Sequence, residues 1–222
     1  MPVFALFLFF LLAVLSPLLF GRLMLASLEK LHLDPSTAVM LMIAIFVGGL
    51  INIPITTISR GKNVSSNPLA VYGLDGFWPQ LQRNTTKTII AVNLGGCVIP
   101  VGLSLYEIWF LASLDPHSLA LGLLGCTINI VACYFVARPV KGIGIVMPTF
   151  ASPLIAVTLA LLLVPETAPP AAFVIGVIGP LVGADLLHLR DIEATEAGIA
   201  SIGGAGTFDG IILSGIIAAY LA

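Results

Sequence analysis

Pro170-Ala171-Ala172-Phe173-Val174-Ile175-Gly176-Val177-Ile178-Gly179-Pro180-Leu181-Val182-Gly183-Ala184-Asp185-Leu186-Leu187-His188 is a run of small and apolar residues broken by a single acid near its end. As a helix it reaches across the roughly 30 Å hydrocarbon core of a bilayer, for which about 20 residues are needed. Seven runs of this character follow one another, at about residues 2–20, 37–57, 88–111, 118–137, 143–164, 170–189 and 206–222. The whole chain is 59% hydrophobic and 9% charged, with a mean hydropathy of +1.12. A soluble domain carries about 25% charged residues. The chain therefore reads as all-α, a polytopic transmembrane helix bundle of about seven spans forming one integral membrane domain over residues 1–222.

The first run opens Met1-Pro2-Val3-Phe4, with no basic segment and no small-residue cleavage site, and reads as a retained helix and not a signal peptide. The third run offers break points at Gly95-Gly96 and Pro100, the fifth at Pro148 and Pro153. With alternating spans, Arg60, Lys62, Arg83, Lys87, Arg138, Lys141 and Arg190 fall on one side, and only Arg22 and Lys30 on the other. That bias puts the first group in the cytoplasm, the N-terminus inside and the C-terminus outside. The segment 58–87 reads as a cytoplasmic connector whose Tyr72–Pro79 part can lie in the lipid headgroups. The net charge of −2 and the scattered Lys and Arg form no basic patch, so nucleic acid is not an expected partner. The expected surroundings are membrane lipids. Cys97, Cys126 and Cys133 all fall in apolar runs and read as packing residues, with no disulfide framework.

Chemistry is sought where the bilayer makes a polar group expensive. An aspartate at a helix centre costs roughly 2.5–3.5 kcal/mol on insertion scales. Asp185 lies near the inner end of the sixth run, and Asp209 near the start of the seventh in Gly206-Thr207-Phe208-Asp209-Gly210-Ile211. Both carboxyls come out roughly 5 Å inside the cytoplasmic boundary, on consecutive antiparallel helices joined by a loop long enough for a hairpin. Two facing carboxyls a few Å apart do not both ionise easily and share a proton. One then activates water while the other polarises a carbonyl, which is acid–base hydrolysis. Gly203-Gly204-Ala205-Gly206 allows a neighbouring backbone or substrate to approach closely.

Other polar residues fit a different class. Asn52, Asn93 and Asn129 lie inside the second, third and fourth runs, with Pro54 and Pro100 near two of them. Broken helices, amide side chains and carboxylates of this kind bind Na⁺ or carry H⁺ in transporters. Asn in a membrane helix also serves as interhelical glue, at about 0.6 kcal/mol per bond. His188 shares a helix face with Asp185 three residues earlier, and reads as a substrate- or ion-contacting residue or an interfacial cap. His32 and His117 fall on the opposite side and no His-Glu-x-x-His motif is present, so no metal or other cofactor is expected.

Two resemblances add to this reading. The stretch Gly206-Thr207-Phe208-Asp209-Gly210-Ile211-Ile212-Leu213-Ser214-Gly215 resembles the Gly-x-Gly-Asp helix of presenilin and signal-peptide-peptidase type intramembrane aspartyl proteases. It implies a catalytic dyad of Asp185 and Asp209 and a transmembrane peptide as substrate. Phe208 stands where that family has glycine, Ala184 where it has tyrosine, and Ser152-Pro153-Leu154 is similar to its Pro-Ala-Leu motif but precedes the acids. The segments Gly48-Gly49-Leu50-Ile51-Asn52-Ile53-Pro54, Val92-Asn93-Leu94-Gly95-Gly96, Ala137-Arg138-Pro139-Val140-Lys141-Gly142 and Thr207–Ile211 together resemble a family of prokaryotic multi-span proteins of unknown function. That likeness implies a prokaryotic inner-membrane protein. Three functions stand beside one another: an intramembrane aspartyl protease-like hydrolase, an ion- or proton-coupled transporter of a small solute, and a non-catalytic binding or assembly protein.

Overall fold

The structure is a computed structural model that describes residues 15, 18–66, 83–141, 144–195, 198–204 and 209–222. The first apolar run, 2–20, lies almost wholly outside the described residues, as do Tyr72–Pro79 and Gly206. Helix α1 covers 18–29. It is followed by α2 (Pro35–Gly48), α3 (Ile99–Leu114), α4 (Pro116–Val136), α5 (Ala151–Leu163), α6 (Ala168–Ile178), the short α7 (Ile192–Thr195) and α8 (Gly210–Leu221). Two π-helical segments extend this set: Leu94–Val98 leads into α3, and Gly179–Leu186 continues α6.

Helix starts are written locally. Asp34 caps α2, with its carboxylate accepting from the Thr37 amide at 3.0 Å and from the Thr37 hydroxyl at 2.6 Å, and with Ser36 Oγ donating to it as well. Asp115 caps α4 through the Ser118 amide at 3.0 Å, and Asp209 caps α8 through the Ile211 amide at 2.9 Å. Proline sits in the first turn of α2, α3, α4 and α6, where its missing N–H costs nothing. The chain leaves α4 at Ala137-Arg138-Pro139, since the residue before a proline disfavours helix.

Among the described residues three stretches are long and apolar enough to cross a membrane: Leu94–Leu114, Pro116–Val136 and Pro165–Leu186. This is the pattern of a membrane protein. Helices α2, α5 and α8 are apolar but have only 14, 13 and 12 residues. At 1.5 Å per residue each is roughly 18–21 Å long, short of the bilayer core.

The all-α expectation needs correcting. Strands β1 (Asn52–Ser66) and β2 (Arg83–Asn93) pair antiparallel, and β5 (Ile199–Ile202) adds parallel to β2, giving the order β1-β2-β5. Strands β3 (Arg138–Val140) and β4 (Gly144–Val146) form a second, two-stranded ribbon. The expected span 37–57 is thus helix only to Gly48 and strand from Asn52, and the span 88–111 is strand to Asn93 and helical from Leu94. The connector 58–87 is strand where described, and the span 143–164 is helical only from Ala151. β-branched Ile53, Ile55, Thr56, Thr57 and Ile58 favour extended backbone, and Pro54 lies beside a register irregularity in an edge strand, where proline is tolerated.

Helix α6 is the centre of the bundle. In the Pro165–Leu186 stretch 78% of the window is buried, against 33% and 28% in the other two. It packs on α3, α4, α5 and α8. Gly125 meets Ile175, Asn129 meets Gly179, and Ile130 and Cys133 meet Gly183, so α4 and α6 run parallel. Helix α8 closes on α6 through backbone contact at Gly176 and Gly215.

Two outcomes test this packing. A Cβ at Gly176 would lie 2.8 Å from the Ser214 carbonyl oxygen, whereas one at Gly102 would meet nothing within 4 Å. Gly176→Ala should therefore lose about 1–3 kcal/mol in unfolding experiments in detergent, while Gly102→Ala leaves stability unchanged or raises it. Hydrogen bonds from Ser36 and Thr37 hold the Asp34 carboxyl at about 2, down from 3.8. A depressed folded pKa stabilises above the unfolded value and loses that effect as pH falls through the folded one. The stabilisation of α2 by its cap should be complete above about pH 4 and vanish as pH falls towards about 2, a dependence that Asp34→Ala abolishes.

Candidate functional site: an acid pair at the end of the bundle

Asp185 is the penultimate residue of the Gly179–Leu186 π-helix, and Asp209 is the cap of α8. Because α6 and α8 are antiparallel neighbours, these two ends coincide. The two carboxyls lie within electrostatic reach of one another, and Asp185 accepts a hydrogen bond from the Gly203 amide. Asp209 accepts from Ile211 with one oxygen at 2.9 Å, at the positive end of the α8 dipole. The buried Cys97 thiol is within electrostatic reach of both acids.

The turn that supplies Gly203 has little freedom. Gly203 has φ of +69°, and a Cβ there would sit 2.6 Å from the Gly96 carbonyl carbon and 2.8 Å from the Cys97 nitrogen. Only glycine combines that left-handed backbone with that approach. Just before it, β5 is pinned to β2 in register from Ile89↔Ile199 to Val92↔Ile202. The sheet thereby presses the turn onto the Leu94–Val98 π-helix and holds its amide towards Asp185. Both π-helical segments meet at the acid pair. Such segments are rare and frequent at functional sites.

Asn52 and Asn93 come together beside this turn. Their register pairs them across β1 and β2, and Asn93 Nδ2 donates to Asn52 Oδ1 at 3.1 Å and to the Gly49 carbonyl at 2.9 Å. Asn93 Oδ1 accepts from the Gly96 amide at 2.7 Å. Ser201 Oγ donates to Asn52 Oδ1 at 2.5 Å, tying β5 into the same cluster. Asn93 is fully buried and its amide is committed to protein partners on every side. Asn129 stands elsewhere, donating to Ser152 Oγ at 3.0 Å and the Ile175 carbonyl at 2.9 Å, with Ser214 Oγ joined to Ser152 at 2.7 Å. His188 also turns away from the acids. Its Nδ1 is 3.0 Å from the Gly183 carbonyl and its ring lies against Tyr134 with centroids 4.8 Å apart, so it caps the π-helix. Gly206 lies outside the described residues. Among the described residues no three His, Cys, Asp or Glu side chains group to hold a metal ion.

The span from the end of α2 to the end of α8, which carries this whole arrangement, matches one family model over residues 46–221, the DUF1614 proteins of unknown function. The chain belongs to the DUF1614 family. No curated protein and no solved structure matches it. The DUF1614 segment contains both acids, both π-helices, the three-stranded sheet and the Asn52–Asn93–Ser201 cluster.

Three further residues of the DUF1614 segment stand out in the structure more than in the sequence. Cys97 was legible only as packing, and Ser201 carries no signal outside its strand. Glu107 had a signal: it is an acid inside an apolar run, subject to the same cost as Asp185. It is fully buried on α3, and among the described residues no group hydrogen-bonds either carboxyl oxygen.

Removing the asparagine clasp should be costly. Asn93→Ala strands the Gly49 carbonyl and the Gly96 amide and should lose roughly 1–3 kcal/mol in equilibrium unfolding. Asn93→Asp should not restore it, because a carboxylate cannot donate to Gly49.

Proposed function

We propose that this DUF1614 protein is a membrane-embedded hydrolase of the aspartyl protease type, with Asp185 and Asp209 as its catalytic pair. The observation that supports the proposal is that the two carboxyls lie within electrostatic reach of one another beside the Gly203 turn, whose amide donates to Asp185. In this reading the α8 N-terminus favours negative charge on Asp209, which draws a proton from the attacking water. Asp185, steadied by the Gly203 amide, donates its proton to the carbonyl oxygen of the scissile peptide bond. The resulting diol collapses as a proton passes to the leaving nitrogen, and the pair returns to its singly protonated form. The substrate class is a transmembrane peptide segment, reached from the lipid, and the reaction requires no metal.

The same reading places the protein in a prokaryotic inner membrane, with the pair at the cytoplasmic end. In support, β2, which carries Arg83 and Lys87, pairs with β5 just before the Gly203 turn, and the β3–β4 ribbon, with Arg138, packs on the Gly179–Leu186 π-helix, while Lys30 reaches the Tyr220 carbonyl at the far end of α8.

A second reading, a proton- or ion-coupled transporter, draws on the buried polar side chains between helices, Asn129 with Ser152 and Ser214 foremost. One experiment separates the two. With the purified chain in liposomes and a set of transmembrane peptides, Asp185→Asn and Asp209→Asn should each lower cleavage by about 10²–10⁴-fold, and chelators should leave it unchanged. Cleavage that survives either substitution contradicts the hydrolase. Solute uptake whose ion dependence shifts in both variants supports the transporter.

A further inference from the structure

Helix α3 turns one stripe inward: Pro100, Leu103, Ser104, Glu107 and Leu111 are its buried residues, at helical spacing. Glu107 is among the largest fully buried side chains of the molecule. Neither of its oxygens has a hydrogen-bond partner among the described residues, and neither has Ser104 Oγ one turn before it. The serine is unusual within this bundle. Ser27, Thr127 and Thr158 each turn the hydroxyl back to the carbonyl four residues earlier, at 2.8, 3.0 and 2.7 Å. Ser104 does not. Two adjacent turns of α3 thus direct unsatisfied polar atoms into the packed interior.

The groups around them supply no counter-charge. Helix α6, against which α3 packs most closely, has no ionisable residue between Ala168 and Ile178, and α2 has none between Pro35 and Gly48. The buried ionisable side chains of α4 are the thiols Cys126 and Cys133, and the π-helix before α3 offers Cys97. On α8 the ionisable groups are Tyr220 and the capping Asp209, at its two ends. Arg22, Glu29 and Lys30 are exposed at α1, and Lys30 Nζ donates to the Tyr220 carbonyl at 2.7 Å. His32, before α2, is exposed with its ring stacked on Phe110 of α3, centroids 4.1 Å apart, and the exposed Asp34 is engaged by Thr37 in the α2 cap. Glu107 stands ten residues beyond Cys97, roughly 15 Å along the helix from that thiol, which is itself within electrostatic reach of the acid pair. An unpaired carboxylate there is destabilising, and a leucine or methionine of similar volume would fill the space without that cost. Ionisable side chains kept inside a membrane bundle in this way mark proton and ion sites.

We propose that Ser104 and Glu107 form a proton-binding site in the interior of the bundle. Glu107 takes a proton from hydronium to become the neutral acid, releasing water, and returns it by the reverse step; Ser104 Oγ holds a water molecule against the carboxyl. The site goes beyond the acid pair and does not depend on the reaction assigned there.

The test uses the full chain in lipid. Infrared spectra in H₂O and D₂O should contain an isotope-sensitive carboxylic acid C=O band that is lost in Glu107→Gln and retained in the Asp185→Asn, Asp209→Asn double variant. Dicyclohexylcarbodiimide, a lipid-soluble reagent for protonated carboxyls, should modify wild-type Glu107 at a rate that falls as pH rises. A band unchanged in Glu107→Gln, or no modification of Glu107 in the wild-type chain, overturns the proposal, and the second result needs no variant to fold. Slowing of that modification by sodium ions at constant pH overturns the proton assignment in favour of a metal cation.

Discussion

Gly203 is the point on which the site end of the molecule depends. Its left-handed backbone lets the chain leave β5, touch the Gly96–Cys97 backbone and direct an amide at Asp185 before running on towards α8. The contact joins three separately built elements: the strand pair that delivers β5, the π-helix that opens α3, and the π-helix that ends the central span. A Cβ at 203 would lie 2.6 Å from the Gly96 carbonyl carbon, closer than such atoms approach, so with any side chain there these backbones must part and the relation between Asp185 and Asp209 changes with them. The acids are therefore positioned by main-chain packing, which is stiff, and not by long side chains, which are not.

Polar groups inside the bundle divide into two kinds. Asn93, Asn129, Ser152 and Ser214 are buried and bonded, and they join helices to one another and to the sheet. Such networks specify a unique packing because every partner must be in place. Glu107 and Ser104 are buried and unbonded within the described residues. The acid pair is a third case, partly buried at the end of the bundle, with each carboxyl taking a backbone amide and each feeling the other's charge. Stability and the proposed proton binding and hydrolysis thus fall to different residues of one small bundle.

Much of the bundle can be read from hydropathy, and the part that cannot has a physical reason. Leu94–Leu114, Pro116–Val136 and Pro165–Leu186 emerge where apolar runs were expected, and Asp34, Asp115 and Asp209 each sit where a cap belongs. The strands were lost because a buried strand and a buried helix are equally apolar, and a continuous apolar run has no period to tell them apart. Gly48-Gly49 before a β-branched stretch, and Thr85-Thr86-Lys87-Thr88-Ile89-Ile90, are the signals that distinguish Asn52–Ser66 and Arg83–Asn93 from membrane helix. At the site, the cost of an acid in lipid pointed to Asp185 and Asp209, and the glycine run pointed to a close approach at Gly203. The pairing of Asn52 with Asn93 follows from strand register, which is invisible once both are read as helix. Glu107 shows that the rule which singled out two acids applied equally to a third.

The central claim is that Asp185 and Asp209 behave as one titrating unit. Carboxyl carbon NMR of the ¹³C-aspartate-labelled chain in lipid bicelles, with Asp185→Asn and Asp209→Asn used for assignment, tests it most directly. A coupled pair predicts that each resonance reports two proton-binding steps, and that replacing either residue leaves its partner with a single shifted step. Two independent single-step curves, each unchanged by replacement of the other residue, would contradict the account.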